Sequence, residues 1–492
     1  MRSLLDSSTR RKLEILEQLS ERADWISSSE LAENNNASLR TITTDIHYLK
    51  EQWSPFLIIE TSKKNGIRLI TPPSSHLHDV YVAVFKNSEA LQFLEKIFFN
   101  PTQSLEEWGE KLFISDSSLY RVTNQLSHAL KNYGIALGKR PCQIVSTNER
   151  FVRYFYTTYF KETYTTFEWP FSIDRTAAIE FSCRLFREKN WPQDDVQLIY
   201  LSYYLAVSIT RFYQGKKVST QECDENLSSY LSFKEILAPY LKQMVNDDHL
   251  EVGEELMQDI FSSLVVFEVS KPNEERILKE ICAHLLNLQA SLHLELSEPQ
   301  LNILAQGYFQ MYNHYLVYPY DHYILFNSSK YNGQAAYQEY PIFSKNVFAE
   351  LTELETVTNF PWYTNYRYEI LFYLITKWPT LPKQLEKKKH KVSLLVLTDL
   401  GKSQTFMLAQ AIERNFSHKA VVTSFEKSIL FLSEEAFFGP DDYDLFVSTI
   451  HLPNINEEKL IIVDPLPSNM DWENLRKSIN NIHKMHKLNN DS

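Results

Sequence analysis

Two polar sets recur in this chain with a shared spacing, and their residue types suit hydrogen bonding to double-stranded DNA. The first is Arg40, Thr41, Thr43, Thr44 and His47; the second is Ser117, Tyr120, Arg121, Asn124 and His128. Small, polar and basic side chains on one helix face can enter a major groove, where arginine pairs with guanine and asparagine with adenine. A basic cluster follows each set: Lys63, Lys64 and Arg68 after the first, Lys139 and Arg140 after the second. Such groups reach phosphates, which positions a protein without reading sequence. His47 and His128 read as polar members of these faces and not as catalysts.

Each set needs a helix beneath it. Ser38 can cap the first, and Ile42, Ile46 and Leu49 fall on the opposite face at i, i+4 and i+7. Upstream, residues 10–20 place Leu13, Leu16 and Leu19 at helical spacing, and Ser27-Ser28-Ser29-Glu30 is a capping box opening a short helix that Asn34-Asn35-Asn36 ends. Downstream, apolar runs at 56–59 and 67–70 flank Asn65-Gly66, a hairpin signal. Helix, short helix, turn, longer helix and basic hairpin predict a winged helix-turn-helix. The pattern returns 77 residues later, with Ser104-Leu105-Glu106-Glu107 as capping box, Trp108 for Leu31, Ser115 for Ser38, and Leu119 and Leu126 for Ile42 and Leu49. Thr123 at the Ile46 position weakens the match. The second hairpin carries Ile135, Leu137, Ile144 and Val145 in its strands.

Composition narrows the rest. At 492 residues the chain has room for three to five domains, and its net charge is -12. Residues 1–160 hold 19 Lys and Arg against 18 Asp and Glu, a net of +1, whereas the other 332 hold 31 against 44, a net of -13. The acidic body repels DNA, so duplex contact is expected from the N-terminal third, with modest intrinsic affinity helped by dimerisation and DNA shape. No apolar run approaches the ~20 residues of a membrane span, and the start of the chain lacks a signal core. Cys142, Cys183, Cys223 and Cys282 are too scattered for a disulfide framework or zinc site and suit a reducing cytoplasm. No metal or cofactor is expected. Gly401-Lys402-Ser403 lacks the glycine that a phosphate-cradling loop needs five positions earlier, where Val396 stands.

Residues 150–385 present helix after helix, dividing near Lys271-Pro272-Asn273, with 331–341 expected as a loop. His284, His314 and His322 lie on or near these helices, and no nucleophile or metal motif accompanies them. After a charged linker at 381–391, apolar runs at 392–397, 420–423, 445–447 and 460–463 alternate with helices at 404–415 and 472–487, as in a buried parallel sheet.

The order of these parts resembles the Mga/AtxA family of virulence regulators of Gram-positive bacteria. The resemblance implies a mainly α, multidomain fold: winged helix-turn-helix domains at 1–75 and 76–150, helical phosphotransferase-regulation (PRD-like) domains at 151–272 and 273–385, and an EIIB-like α/β domain at 392–492. It implies a cytoplasmic, DNA-binding transcriptional regulator, an activator of virulence or carbon-metabolism-linked genes, that self-associates as a dimer and has phosphotransferase-system proteins as partners. PRD domains carry an Asp-His pair at the start of a helical stretch ending in arginine; the stretch 203–211 has Tyr203-Tyr204 there. An EIIB domain ends its first strand in Cys-x-x-Gly, and here Thr398-Asp399-Leu400-Gly401 puts a weaker nucleophile in that place. His284, His314 and His322 are then the candidate regulatory phosphorylation sites. Two alternatives remain open on sequence alone, a phosphocarrier and a protein scaffold with degenerate helix-turn-helix units.

Overall fold

The computed structural model describes residues 1–21, 25–54, 56–70, 76–113, 115–191, 194–218, 230–245, 254–265, 273–388, 391–427, 442–452 and 455–489. Packing divides the chain into two compact units. Met1–Ala283, Ala305–Ala335 and Leu354–Glu369 form the first; His284–Leu304, Ala336–Glu353 and Ile370–Ser492 form the second. The span 273–385 thus contributes to both, and Lys271 and Pro272 lie outside the described residues.

The first unit begins with α1 (Ser7–Glu21), α2 (Ser28–Asn34), α3 (Leu39–Gln52) and an antiparallel hairpin of β1 (Ile58–Ser62) and β2 (Gly66–Ile70). Their apolar stripes meet: Leu13, Leu16, Leu19, Leu31, Ile42, Ile46 and Leu49 are all buried. Gly66 sits at φ +105°, and a Cβ there would lie 2.3 Å from the carbonyl oxygen of Ile26, whose backbone bridges to Ile67. Only glycine tolerates that approach.

Two helices, α4 (Leu77–Asn87) and α5 (Glu89–Phe99), precede the second copy, which consists of α6 (Leu105–Leu112), α7 (Asp116–Leu130), β3 (Ala136–Lys139) and β4 (Cys142–Val145). Its capping box is complete: Ser104 accepts from the Glu107 N–H at 3.2 Å, and the Glu107 carboxylate accepts from the Ser104 N–H at 2.7 Å. Thr123 is fully buried and donates its hydroxyl to the Tyr120 carbonyl at 3.0 Å. A threonine satisfied within its own helix fills the place of Ile46 without an orphaned polar group.

Helices α8 (Glu149–Thr163), α9 (Arg175–Glu188), α10 (Asp195–Tyr213), α11 (Lys234–Val245) and α12 (Glu254–Val265) continue the first unit. Buried arginines tie them together. Arg153 on α8 lies 2.7 Å from Asp259 on α12, and Arg211 on α10 grips Glu149 through two bonds of 2.6 and 2.8 Å.

Then come α13 (Glu274–Ser291), α14 (Glu298–Val317), α15 (Ser328–Glu339), α16 (Pro341–Thr358) and α17 (Trp362–Lys377). Helix α15 occupies most of the span expected as a loop. It has no apolar stripe because backbone contact replaces one: a Cβ on Gly333 would lie 2.0 Å from the Tyr368 carbonyl oxygen on α17.

In the second unit, the expected linker starts with α18 (Leu381–Lys388), where Leu381 and Leu385, one turn apart, are buried and seat an otherwise charged segment. Strands β5 (Val392–Leu397), β6 (Ala420–Ser424), β7 (Leu445–Ser448) and β8 (Leu460–Ile462) form a parallel sheet in the order β6-β5-β7-β8, with α19 (Lys402–Phe416) and α20 (Asn469–Asn489) between and after them. The strands coincide with the apolar runs. The fold is mainly α and multidomain, with helix-turn-helix units in front and a small parallel sheet at the end.

Removing Asp259 would leave the buried Arg153 guanidinium with the Lys216 carbonyl at 3.0 Å and Glu149 at 3.9 Å. Asp259→Ala is expected to lower unfolding free energy by about 3–5 kcal/mol in urea titration; a loss below about 1 kcal/mol would mean Arg153 is hydrated.

Candidate nucleic-acid interface

On α3 the Ser38 hydroxyl accepts from the Thr41 N–H at 3.1 Å, which fixes where the recognition helix starts. Arg40, Thr43, Thr44 and His47 are exposed, whereas Thr41 is half-buried and its hydroxyl meets Ser38 at 2.8 Å. Thr43 and Thr44 donate back to the carbonyls of Leu39 and Arg40, at 2.9 and 3.0 Å, so they present methyl groups and lone pairs outward. His47 Nδ1 lies 3.3 Å from Glu51.

The first wing holds Lys63 and Lys64 exposed at its tip, with Ser62 Oγ accepting from the N–H groups of Lys64 and Asn65. Arg68 is different. Its guanidinium donates to Glu60 at 2.6 Å and lies 4.9 Å from the centre of the Trp25 ring, so it braces the hairpin. Lys50 donates to Thr61 at 2.8 Å and ties the helix to the wing.

On α7, Ser115 caps by accepting from the Ser118 N–H at 3.3 Å, and Ser117, Tyr120, Arg121, Asn124 and His128 are exposed. The second wing leaves Lys139 and Arg140 exposed, and the Lys139 ammonium stands 5.6 Å over the Tyr120 ring. Among the described residues, the side chains of Arg40, Lys63, Lys64, Arg121 and Asn124 make no hydrogen bond or ion pair with protein. Such groups are available to phosphates and base edges.

The two recognition helices border a common recess of about 470 Å³, which Tyr48 of α3 and Arg121 of α7 line together with Leu4, Asp6 and Glu89. Asp45 of α3 is a residue that sequence spacing did not single out. Buried in the apolar stripe, it accepts from Arg11 at 2.6 Å and lies 3.7 Å from Lys12, whose ammonium stands 4.2 Å over Tyr48. The available signal was the Arg11-Lys12 pair on α1 facing a lone carboxylate at i+3 from Ile42.

Family profiles match both units: a helix-turn-helix (HTH) domain over residues 11–68 and the Mga helix-turn-helix domain over residues 73–160. A putative trans-acting regulator of Streptococcus pneumoniae is 26% identical over 481 residues, covering 94% of this chain and 95% of its own. The capsule synthesis positive regulator AcpB of Bacillus anthracis is 21% identical over 504 residues, 96% of this chain and 98% of its own. Over nearly its whole length the chain is thus similar to regulators of the Mga/AtxA type. The anthrax toxin expression trans-acting positive regulator of the same bacillus is 21% identical over 257 residues, 52% of this chain and 50% of that one. Among the described residues no helix is long and apolar enough to cross a membrane.

The residues that the resemblance sets at phosphorylated positions, Tyr203-Tyr204 and Thr398, are buried. Tyr203 is buried and donates to the Glu168 carbonyl at 3.1 Å, and Tyr204 is buried beside Arg153. Thr398 is buried, its hydroxyl 2.9 Å from that of Thr405. Burial pushes all three candidate histidines down, His284 to about 4, His314 to about 3 and His322 to about 4. The rings of His314 and His322 meet edge to face at 4.4 Å.

These imidazoles give a signed pH dependence. The unfolded chain protonates them as pH falls through about 6.5, but the folded chain only near 3–4, so acidification between those limits costs stability. The urea midpoint is expected to fall from pH 7 to pH 5, and His284→Gln to shrink that fall. An unchanged fall in the variant would place His284 in solvent.

Proposed function

We propose that the chain activates transcription by binding promoter DNA as a homodimer, with α3 and α7 in major grooves and Lys63, Lys64, Lys139 and Arg140 on phosphates. The observation that carries this is the pair of capped helices bordering one recess, each with unpaired arginine or asparagine outward. The names of the relatives, positive regulators of capsule and toxin expression, support activation. Domains are proposed at 1–75, 76–150, 151–272, 273–385 and 392–492, with dimer contacts from the PRD-like and EIIB-like body and with a cytoplasmic location. Phosphotransferase-system proteins are proposed partners with His284, His314 or His322 as acceptors, His322 being the exposed one of the three. The buried, hydrogen-bonded Thr398 hydroxyl argues against a phosphocarrier.

Mobility shift with the full chain tests the interface. Arg40→Ala and Arg121→Ala, each folded by circular dichroism, are expected to weaken promoter binding about 10- to 100-fold. Lys63→Ala with Lys64→Ala should instead weaken all sequences alike and lower the slope of log K against log salt by about 1.8. Full binding by both arginine variants would refute the interface.

A further inference from the structure

A cavity of about 1080 Å³ opens in the first compact unit, and every residue lining it belongs to that unit. Its walls come from α4, α8, α10, the segment 319–327 and the adjoining ends of α14, α15 and α17. Ligand pockets of ~300–1000 Å³ bury most of a small molecule, so there is room for one with water.

Several side chains in this wall make no hydrogen bond or ion pair among the described residues, Lys161 foremost. The Lys161 ammonium makes no hydrogen bond or ion pair among the described residues, and its nearest aromatic contact is the Tyr200 ring at 6.0 Å. The side chain lines the cavity and is exposed, and the surrounding protein lowers its pKa by desolvation. Its neighbour Glu162 interacts with it only through space and makes its hydrogen bonds elsewhere. The Glu162 carboxylate accepts from the backbone N–H groups of Ile324, Leu325 and Phe326 at 2.6, 3.0 and 3.3 Å, and burial pushes it up to about 7.

The other wall carboxylates are engaged as well. Glu369 accepts from Asn327 at 2.7 Å, Asp79 accepts from the His76 N–H at 2.7 Å, and Asp321 interacts with the N-terminal ammonium. An ammonium exposed in the wall and free of protein ion pairs among the described residues is available to an anionic ligand. The uncharged lining is aromatic with free hydroxyls: Tyr200, Tyr315 and Tyr366 form no side-chain hydrogen bond with protein among the described residues. Ring faces and unpaired hydroxyls suit a hydroxyl-bearing ligand, and the first turn of α15, at Ser328 and Ser329, adds backbone N–H donors.

We propose that this cavity is a binding site for a small polyhydroxylated anion, a sugar phosphate or sugar acid, whose charged group pairs with Lys161 and whose hydroxyls meet the tyrosines. This goes beyond DNA binding and stands without it. The ligand would also touch the segment that seats the chain's N-terminus, since the Met1 ammonium donates to the Ile324 carbonyl at 3.0 Å and Arg2 donates to that of Leu325 at 3.0 Å.

Titration calorimetry and thermal unfolding of the full chain test this with four probes: glucose 6-phosphate, gluconate, inorganic phosphate and neutral glucose. Glucose 6-phosphate or gluconate is expected to bind and raise the melting temperature, and glucose to do neither. Lys161→Met should weaken the anion about ten- to a hundredfold, with Lys161→Arg retaining it and Tyr366→Phe intermediate. Without ligand, Lys161→Met should be as stable as the parent, because the exposed ammonium makes no hydrogen bond or ion pair among the described residues. A structural lysine would behave in the opposite way. Failure of both sugar anions to bind, equal binding by the Lys161→Met chain, or inorganic phosphate binding as tightly as glucose 6-phosphate would each overturn the proposal.

Discussion

The ion cluster of Asp45 with Arg11 and Lys12 is the contact on which the DNA-facing end depends. A recognition helix can read a groove only if its rotation about its own axis is fixed, and apolar side chains alone allow some slip. Asp45 removes that slip by placing a carboxylate in the buried stripe of α3, 2.6 Å from Arg11 on α1. The same arrangement keeps a negative charge off the phosphate-facing side. Arg40 and the two threonines are then left outward, while Lys50 ties α3 to the wing. Helix α7 reaches a similar end by another route, with Thr123 folded back onto its own backbone and Lys139 over Tyr120.

Local chemistry made the readers legible. Serine caps at 27, 38, 104 and 115 act within one turn of themselves, so sequence spacing placed the starts of four helices, and all four hydroxyls accept the expected N–H. The parallel strands were equally plain, because a sheet buried on both faces needs unbroken apolar runs. What escaped depends on distant partners. Helix α15 has no stripe to detect, since Gly333 packs against a backbone carbonyl 35 residues away. The burial of Leu381 and Leu385 turned an apparent linker into a helix. Arg68 carried the right charge for a phosphate but is held by Glu60 and Trp25.

The body shows the same division between readable pattern and unreadable pairing. The arginine at the end of α10 was noticed as a family feature, yet its work is structural: Arg211 joins α10 to Glu149 and to the Ile144 carbonyl of the second wing strand. That bond links the helical region directly to a winged unit. Lys161 is the counter-example, a cation exposed in a cavity wall with no hydrogen bond or ion pair among the described residues.

The central claim is that one chain presents two groove-reading helices held side by side. Hydroxyl-radical and phosphate-ethylation footprinting of a bound promoter by the full chain measures this directly. Two clusters of protected phosphates per chain, with the Arg121→Ala chain losing one cluster and keeping the other, are the predicted result. A single cluster per chain, or the loss of both clusters together in that variant, would contradict it.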